Sequence, residues 1–139
     1  MGSVMIAVAM AEAIEELRAA QPVLLTLHKA LLDAERAQVE SVHGAMSGAE
    51  FLQLVSDPVR YGWLKPFSRL IVAIDDALNP REQAELVPPD ELLEQARELV
   101  LPPREDTPFG RRYRSLLQKD PALVMAHSKV ADALGRPPS

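Results

Sequence analysis

The sequence lacks cysteine altogether and is poor in aromatic residues. Among its 139 residues there is no cysteine, and aromatic side chains make up 4%. Without a thiol the chain has no disulfide, no thiolate metal ligand and no thiol nucleophile, which agrees with a reducing cytoplasm. The scarcity of aromatic residues, set against many alanines and leucines, favours helices over sheets.

Long hydrophobic runs and an excess of positive charge are missing as well. The apolar run over residues 4–11 is too short to cross a bilayer and has no basic residue before it, so we expect neither a membrane anchor nor a signal peptide. The formal net charge of −5 argues against bulk attraction to nucleic acid or anionic lipid. A chain of this length can bury a core as one domain over residues 1–139. We therefore expect a single-domain cytoplasmic protein.

What the chain does have is helical periodicity, which is densest between Trp63 and Leu78. Pro66 fits only in the first turn of a helix there, and Asn79, which precedes a proline, predicts its end. Trp63 could line a ligand pocket, although packing on the next helical turn is its ordinary role. We expect this helix at the centre of the fold, with the second and last helices packed on it. Its apolar positions recur at steps of three and four and share one face: Trp63, Phe67, Leu70, Ile71, Ile74 and Leu78.

The rest of the chain divides into amphipathic segments between prolines and glycines. A first helix, with Ile6 and Met10 on its inner face, ends near Ala20, and a second runs from Pro22 to His43, unless both form one helix kinked at Pro22. The pattern predicts an all-α fold, a compact helical bundle of five to six helices with a four-helix-bundle-like core. The remaining segments are short helices after Ser47 and Asp57, a loop at 79–88 with room for one turn at 81–86, a helix between Pro88 and Pro102, a linker at 102–110, and helices at 111–119 and 121–134.

Histidines and carboxylates occur in patterns that could hold a metal. Glu40 and His43 form an E-x-x-H pair on one helix face, but the second such motif that a di-iron bundle needs is absent. His28 and Glu35 share a face two turns apart, and His127 lies on an apolar stripe. The Glu40–His43 pair is better explained as a surface pair near a helix end, and His28 as a boundary histidine. His127 is better explained as a core or interface histidine hydrogen-bonded to a neighbour. We predict no catalytic residue, no metal site and no cofactor.

The adjacent carboxylates Asp75 and Asp76 do not form an acid/base pair. Neighbours on a helix diverge by about 100°, so the two side chains do not converge on one substrate atom. They stand in the last turn of their helix, where negative charge is unfavourable. This predicts a basic partner from among Arg111, Arg112 and Arg114.

A basic cluster with an aromatic residue within it lies at Arg111, Arg112, Tyr113 and Arg114. Such groups can hold phosphates and stack a base, yet four residues in an acidic protein make a small footprint for nucleic acid. Contact with an acidic protein partner is the stronger alternative. A role within the chain or in self-association ranks first.

Charge and small residues both point to self-association. Residues 70–110 carry 10 acidic and 3 basic side chains, net −7, whereas residues 111–139 carry 6 basic and 2 acidic ones, net +4. A fold or a dimer that brings these two oppositely charged segments together would reduce the charge repulsion within each of them. Thin, alanine-lined stripes at 34–42 and 92–100 also suggest a homodimer.

Two segments resemble known proteins. Residues 27–78, LHKALLDAER…FLQLVSDPVRYGWLKPFSRLIVAIDDAL, resemble a family of small uncharacterised bacterial all-helical proteins, which implies a helical bundle and no activity. Residues 113–134, YRSLLQKDPALVMAHSKVADAL, are similar to the junction between two tetratricopeptide repeats, although nothing upstream repeats at the required period.

The function that the sequence favours is therefore non-enzymatic, that of a scaffold, a regulator or a partner-binding bundle. Two alternatives remain open. One is a small-molecule- or metal-binding bundle, and the other is a nucleic-acid-associated regulator that uses Arg111–Arg114.

Overall fold

A single long helix, α1, is the element on which the others pack. The computed structural model describes residues 2–82 and 85–135. Helix α1 runs unbroken over Gly2–His43, so the alternative of one helix through Pro22 is the one observed. Proline in a helix interior removes one backbone hydrogen bond, and burial of the face on either side compensates for that loss. That face consists of Ala13, Leu17, Ala20, Leu24, Leu27, Leu31, Ala34 and Glu35.

The chain leaves α1 through a glycine and two capped turns. Gly44 has a φ of 85°, which residues other than glycine rarely adopt, and it ends α1 where the sequence predicted. Ser47 caps α2, Gly48–Val55, in a capping box with Glu50. Asp57 caps α3, Pro58–Tyr61, through the backbone N–H of Val59. These caps confirm the predicted starts of both short helices.

Helix α4, Lys65–Leu78, follows a single 3₁₀ turn at Gly62–Leu64. Pro66 lies in its first turn, as predicted, and Asn79 ends it. The predicted apolar face is the buried one, although Trp63 and Ile71 remain partly accessible at its edges. Trp63 itself belongs to the 3₁₀ turn rather than to the α-helix.

Three further helices complete the bundle: α5, Pro89–Val100; α6, Pro108–Leu117; and α7, Pro121–Leu134. Helix α6 begins three residues earlier than predicted, because the Thr107 side chain accepts a hydrogen bond from the Gly110 N–H and caps it. Asp120 caps α7 as expected. The turn predicted at 81–86 includes residues 83 and 84, which lie outside the described residues.

Helices α1, α4, α5 and α7 form the core of the bundle. Helix α1 contacts all of the other three, α5 packs on α4 and α7, and α6 closes the side between α1, α7 and the 3₁₀ turn. The described residues contain no strand, which confirms the all-α bundle. Helix α4 lies in the core, and the second predicted helix, now part of α1, packs on it through His28, as predicted. The last helix instead packs mainly on α1, α5 and α6, and α1 rather than α4 is the helix that the others surround.

Two predictions about which surfaces are exposed and which are buried are wrong. The stripe at 92–100 is not a free face, because Leu92, Ala96 and Val100 are buried against the other core helices. Conversely, Ile6 and Met10 are exposed rather than inward, because the core begins only at Ala13. In the described ranges no helix is both long and apolar enough to span a membrane.

Candidate functional site

The four residues of the basic cluster diverge once α6 is formed. Arg111 is exposed, and its guanidinium donates to the backbone carbonyl of Glu105. Arg114 donates to the carbonyl of Pro103 and forms an ion pair of 3.1 Å with Glu105. Tyr113 is fully buried, so its ring could stack on a nucleobase only if the core opened.

Arg112 of the same cluster turns inward to a buried carboxylate on α1. Its Nε and Nη2 atoms lie 2.9 and 2.7 Å from the same oxygen of Glu35. Glu35 is 6% exposed and is the one charged residue among the buried residues of the described chain. Burying a charge without a partner is costly, so this ion pair holds α6 against α1.

A third residue, Tyr61, completes this polar cluster. Burial raises the pKa of the Tyr61 hydroxyl, and the negative charge of Glu35 raises that pKa further. The cluster forms one wall of a cleft of about 400 Å³, the polar cleft, which Arg60, His43 and Trp63 also line. Because Glu35, Arg112 and Tyr61 interact with one another, the polar side chains left to contact a ligand in this cleft are Gln38, His43 and Arg60.

Glu35 was considered in the sequence only as a possible partner of His28. A better signal was its spacing, because it stands four residues after Leu31 and therefore on the inner face of α1. A glutamate on that stripe needs a cationic partner from elsewhere in the fold. Which arginine supplies it depends on tertiary packing, and the sequence alone does not give it.

A second cleft, the aromatic cleft, opens between α4, α5 and the start of α6. Its volume is about 420 Å³, and its apolar wall is formed by Trp63, Pro66, Leu70, Leu99, Pro108 and Phe109. The Trp63 and Phe109 rings lie 6.3 Å apart between centroids and are tilted by 37°. Glu98, Gln95 and Arg104 stand at the rim. Trp63 therefore does line a pocket, a role that the sequence left open, and Phe109 is one of its neighbours there.

The two inner histidines lie at helix–helix boundaries, as the sequence predicted. His28 Nε2 is 3.1 Å from Ser68 Oγ of α4, and its ring meets Phe67 edge-on. His127 Nδ1 is 2.6 Å from the Tyr113 hydroxyl, which joins α7 to α6. Burial lowers the pKa of both histidines and raises that of Tyr113 well above its ordinary value.

The adjacent carboxylates Asp75 and Asp76 interact with residues that are close to them in the sequence. Asp76 pairs with Arg81 at 2.6 Å and Asp75 accepts from the Asn79 side chain, so the partner predicted from the basic cluster was wrong.

The E-x-x-H pair at the end of α1 does not converge. Glu40 accepts from the Met46 backbone N–H, while His43 is exposed at the edge of the polar cleft. Among the described residues, no three histidine or acidic side chains are grouped as metal ligands.

No protein family, no curated protein and no solved structure matches this chain. The family resemblance over residues 27–78 and its bacterial origin remain expectations, and no residue takes its role from a relative.

Proposed function

We propose that the protein is a non-enzymatic, partner-binding helical bundle that associates with a second copy of itself through residues 2–11 of α1, the apolar arm. The observation that carries the proposal is the exposure of this arm. Val4, Met5, Ile6, Val8 and Met10 are between 46% and 74% exposed, and none of residues 2–12 joins the core. A helix that is apolar all round needs a cover, and another such helix supplies one.

The distribution of charge indicates where two copies can meet. The chain carries a net charge of −5, so two copies repel one another over most of their surface. Residues 2–11 carry no charged side chain, which makes the arm the place where two copies approach without this repulsion. Glu12, Glu15 and Glu16 follow directly. In an antiparallel pair, the glutamates of one copy and those of the other lie at opposite ends of the paired arms and do not repel each other. We therefore favour an antiparallel over a parallel pairing.

The size of the arm sets the expected strength. Ten helical residues extend about 15 Å. A standard interface uses about 20–30 residues from each partner. We therefore expect a weak, concentration-dependent dimer, which suits a regulated or exchanging partner more than a permanent assembly.

The test is sedimentation equilibrium over a wide protein concentration range. The wild-type mass should rise from monomer towards dimer, and Ile6→Glu, which places a charge in each arm, should remain monomeric at every concentration. The matched control is Val59→Glu, which adds the same charge at a residue that is 93% exposed elsewhere on the surface. This control should behave like wild type.

Two results would defeat the proposal. One is a wild-type protein that remains monomeric at the highest concentration. The other is an Ile6→Glu protein that still dimerises.

The basic cluster supports an acidic protein partner better than nucleic acid. Arg112 is engaged by Glu35 and Tyr113 is buried, which leaves Arg111 and Arg114 at the surface. Two exposed arginines give too small a footprint for nucleic acid in a chain of this net charge.

A further inference from the structure

We propose that the aromatic cleft is a binding site for an organic cation with a flat apolar body, such as an arylalkylamine. No residue of the apolar arm lines this cleft, so the site does not depend on self-association. The proposal is carried by the size of the cleft, the aromatic and apolar side chains in its wall and the charge at its rim.

The size and composition of the cleft suit a compact aromatic molecule. Its volume of about 420 Å³ falls within the range of about 300–1,000 Å³ that small-molecule sites occupy. Pro66 and Pro108 line the cleft together with Trp63 and Phe109, and Leu99 lines it from α5. A planar apolar body would bury its surface against this wall.

The partly exposed ring of Trp63 favours a positive charge on the ligand. The face of a tryptophan ring carries partial negative charge and attracts ammonium groups. Phe109 is already packed inside the core, with Phe67 edge-on at 5.8 Å and Tyr113 stacked at 5.4 Å between ring centroids. This packing fixes the ring in place, so the cleft is formed before any ligand arrives.

The rim of the cleft has a net negative charge. Glu98 is exposed there, one helical turn after Gln95 on α5. Arg104 is the cation at the rim, but both its Nε and its Nη2 are taken by the two oxygens of Asp106, at 2.9 and 2.8 Å. Arg104 also interacts electrostatically with Glu98, so one guanidinium serves two carboxylates. The three groups together keep one negative charge, which favours a cation over an anion.

The single tryptophan of the chain makes the site directly observable. Trp63 gives one indole N–H resonance, and that resonance should shift when the cleft is occupied. Three probes share one aromatic body and differ in charge: naphthalen-2-ylmethylammonium, naphthalen-2-ylmethanol and 2-naphthoate. Titration of each into the 139-residue protein at low salt, followed by nuclear magnetic resonance, gives three dissociation constants for comparison.

We expect the ammonium probe to bind tightest, the alcohol next and the carboxylate most weakly. Glu98→Gln should weaken the ammonium probe about threefold to fivefold and leave the alcohol unchanged, because exposed charge pairs contribute little more than this. Added salt should have the same selective effect. Glu91→Gln, the same change in the first turn of α5, should leave all three constants unchanged.

Trp63 also lines the polar cleft, and Glu98 does not, so the Glu98 variant decides which cleft is occupied. The proposal is overturned if none of the probes moves the indole resonance, if 2-naphthoate binds as tightly as the amine, or if Glu98→Gln leaves the preference for the amine intact.

Discussion

At the scale of single residues, the ion pair between Glu35 and Arg112 matters because it neutralises a buried carboxylate. The side chain of Glu35 is 8% exposed and that of Arg112 is 33% exposed, so the carboxylate is the group that depends on its partner. An ion pair of this kind is weak evidence for net stability, because desolvation offsets the attraction. Removing one member alone, however, leaves a buried charge with too few partners.

We therefore expect Arg112→Met to lower the free energy of unfolding by about 2–3 kcal/mol, a figure reduced for the partial exposure of Arg112. Arg111→Met, the same change at the neighbouring exposed arginine, should cost less than about 0.5 kcal/mol. Adding Glu35→Leu to Arg112→Met should recover most of the loss, because no charge then remains buried. Urea denaturation of the wild type and these three variants measures the differences, and a double variant as unstable as Arg112→Met would contradict the argument.

At the scale of elements, the start of α6 depends on a close backbone approach. A β-carbon on Gly110 would overlap the backbone carbonyl of Arg104, so only glycine fits between the first turn of α6 and the loop before it. The same loop carries the Thr107 cap and the rim of the aromatic cleft. One small residue thus fixes the position of α6, of its cap and of that rim.

We expect Gly110→Ala to lower the free energy of unfolding by about 2 kcal/mol or more, because backbone atoms cannot rotate away as a side chain can. Gly62→Ala is the matched control: nothing lies within 4 Å of its β-carbon position, and its φ is −58°. That change should be neutral or slightly stabilising. Chemical denaturation followed by Trp63 fluorescence would measure both, and equal stabilities for the two variants would refute the packing argument.

Helix ends were the elements that the sequence predicted best, because their chemistry is local. Ser47 with Glu50, Asp57 before Pro58, and Asp120 before Pro121 carry the cap and the first turn in adjacent residues. Thr107 was missed, since prolines on either side made residues 102–110 read as a linker, yet Pro108 stands in a first turn where proline is tolerated. Contacts between elements, such as the pairing of Glu35 with Arg112, lay beyond what spacing can give.

At the scale of the whole molecule, the length of a helix decides its place in the bundle more than its local density of apolar residues does. The segment from Trp63 to Leu78 is the richest in large apolar residues, and the sequence therefore placed it at the centre. Helix α1 spreads its apolar positions over 42 residues, and this length lets it touch α4, α5, α6 and α7 in turn. A helix that contacts all four of these helices organises the bundle even when each of its turns buries little apolar surface.

The two inner histidines tie this bundle together and make its stability depend on pH. His28 joins α1 to α4, and His127 joins α7 to α6. Burial lowers the pKa of both from the ordinary 6.5, so the unfolded chain takes up protons near pH 6.5 that the folded chain does not yet bind. The stabilising contribution of the neutral histidines is complete above about pH 7 and is lost as the pH falls through 6.5 and then through the lowered folded-state pKa values.

We expect the free energy of unfolding, measured by urea denaturation at a series of pH values, to fall between pH 7.5 and 5.5. His28→Gln combined with His127→Asn keeps an acceptor near the position of each bonding ring nitrogen and removes the titration. The double variant should show a smaller slope over this interval, whatever its absolute stability. If wild type and double variant had the same slope, burial of these two imidazoles would not be what couples the stability of the bundle to pH.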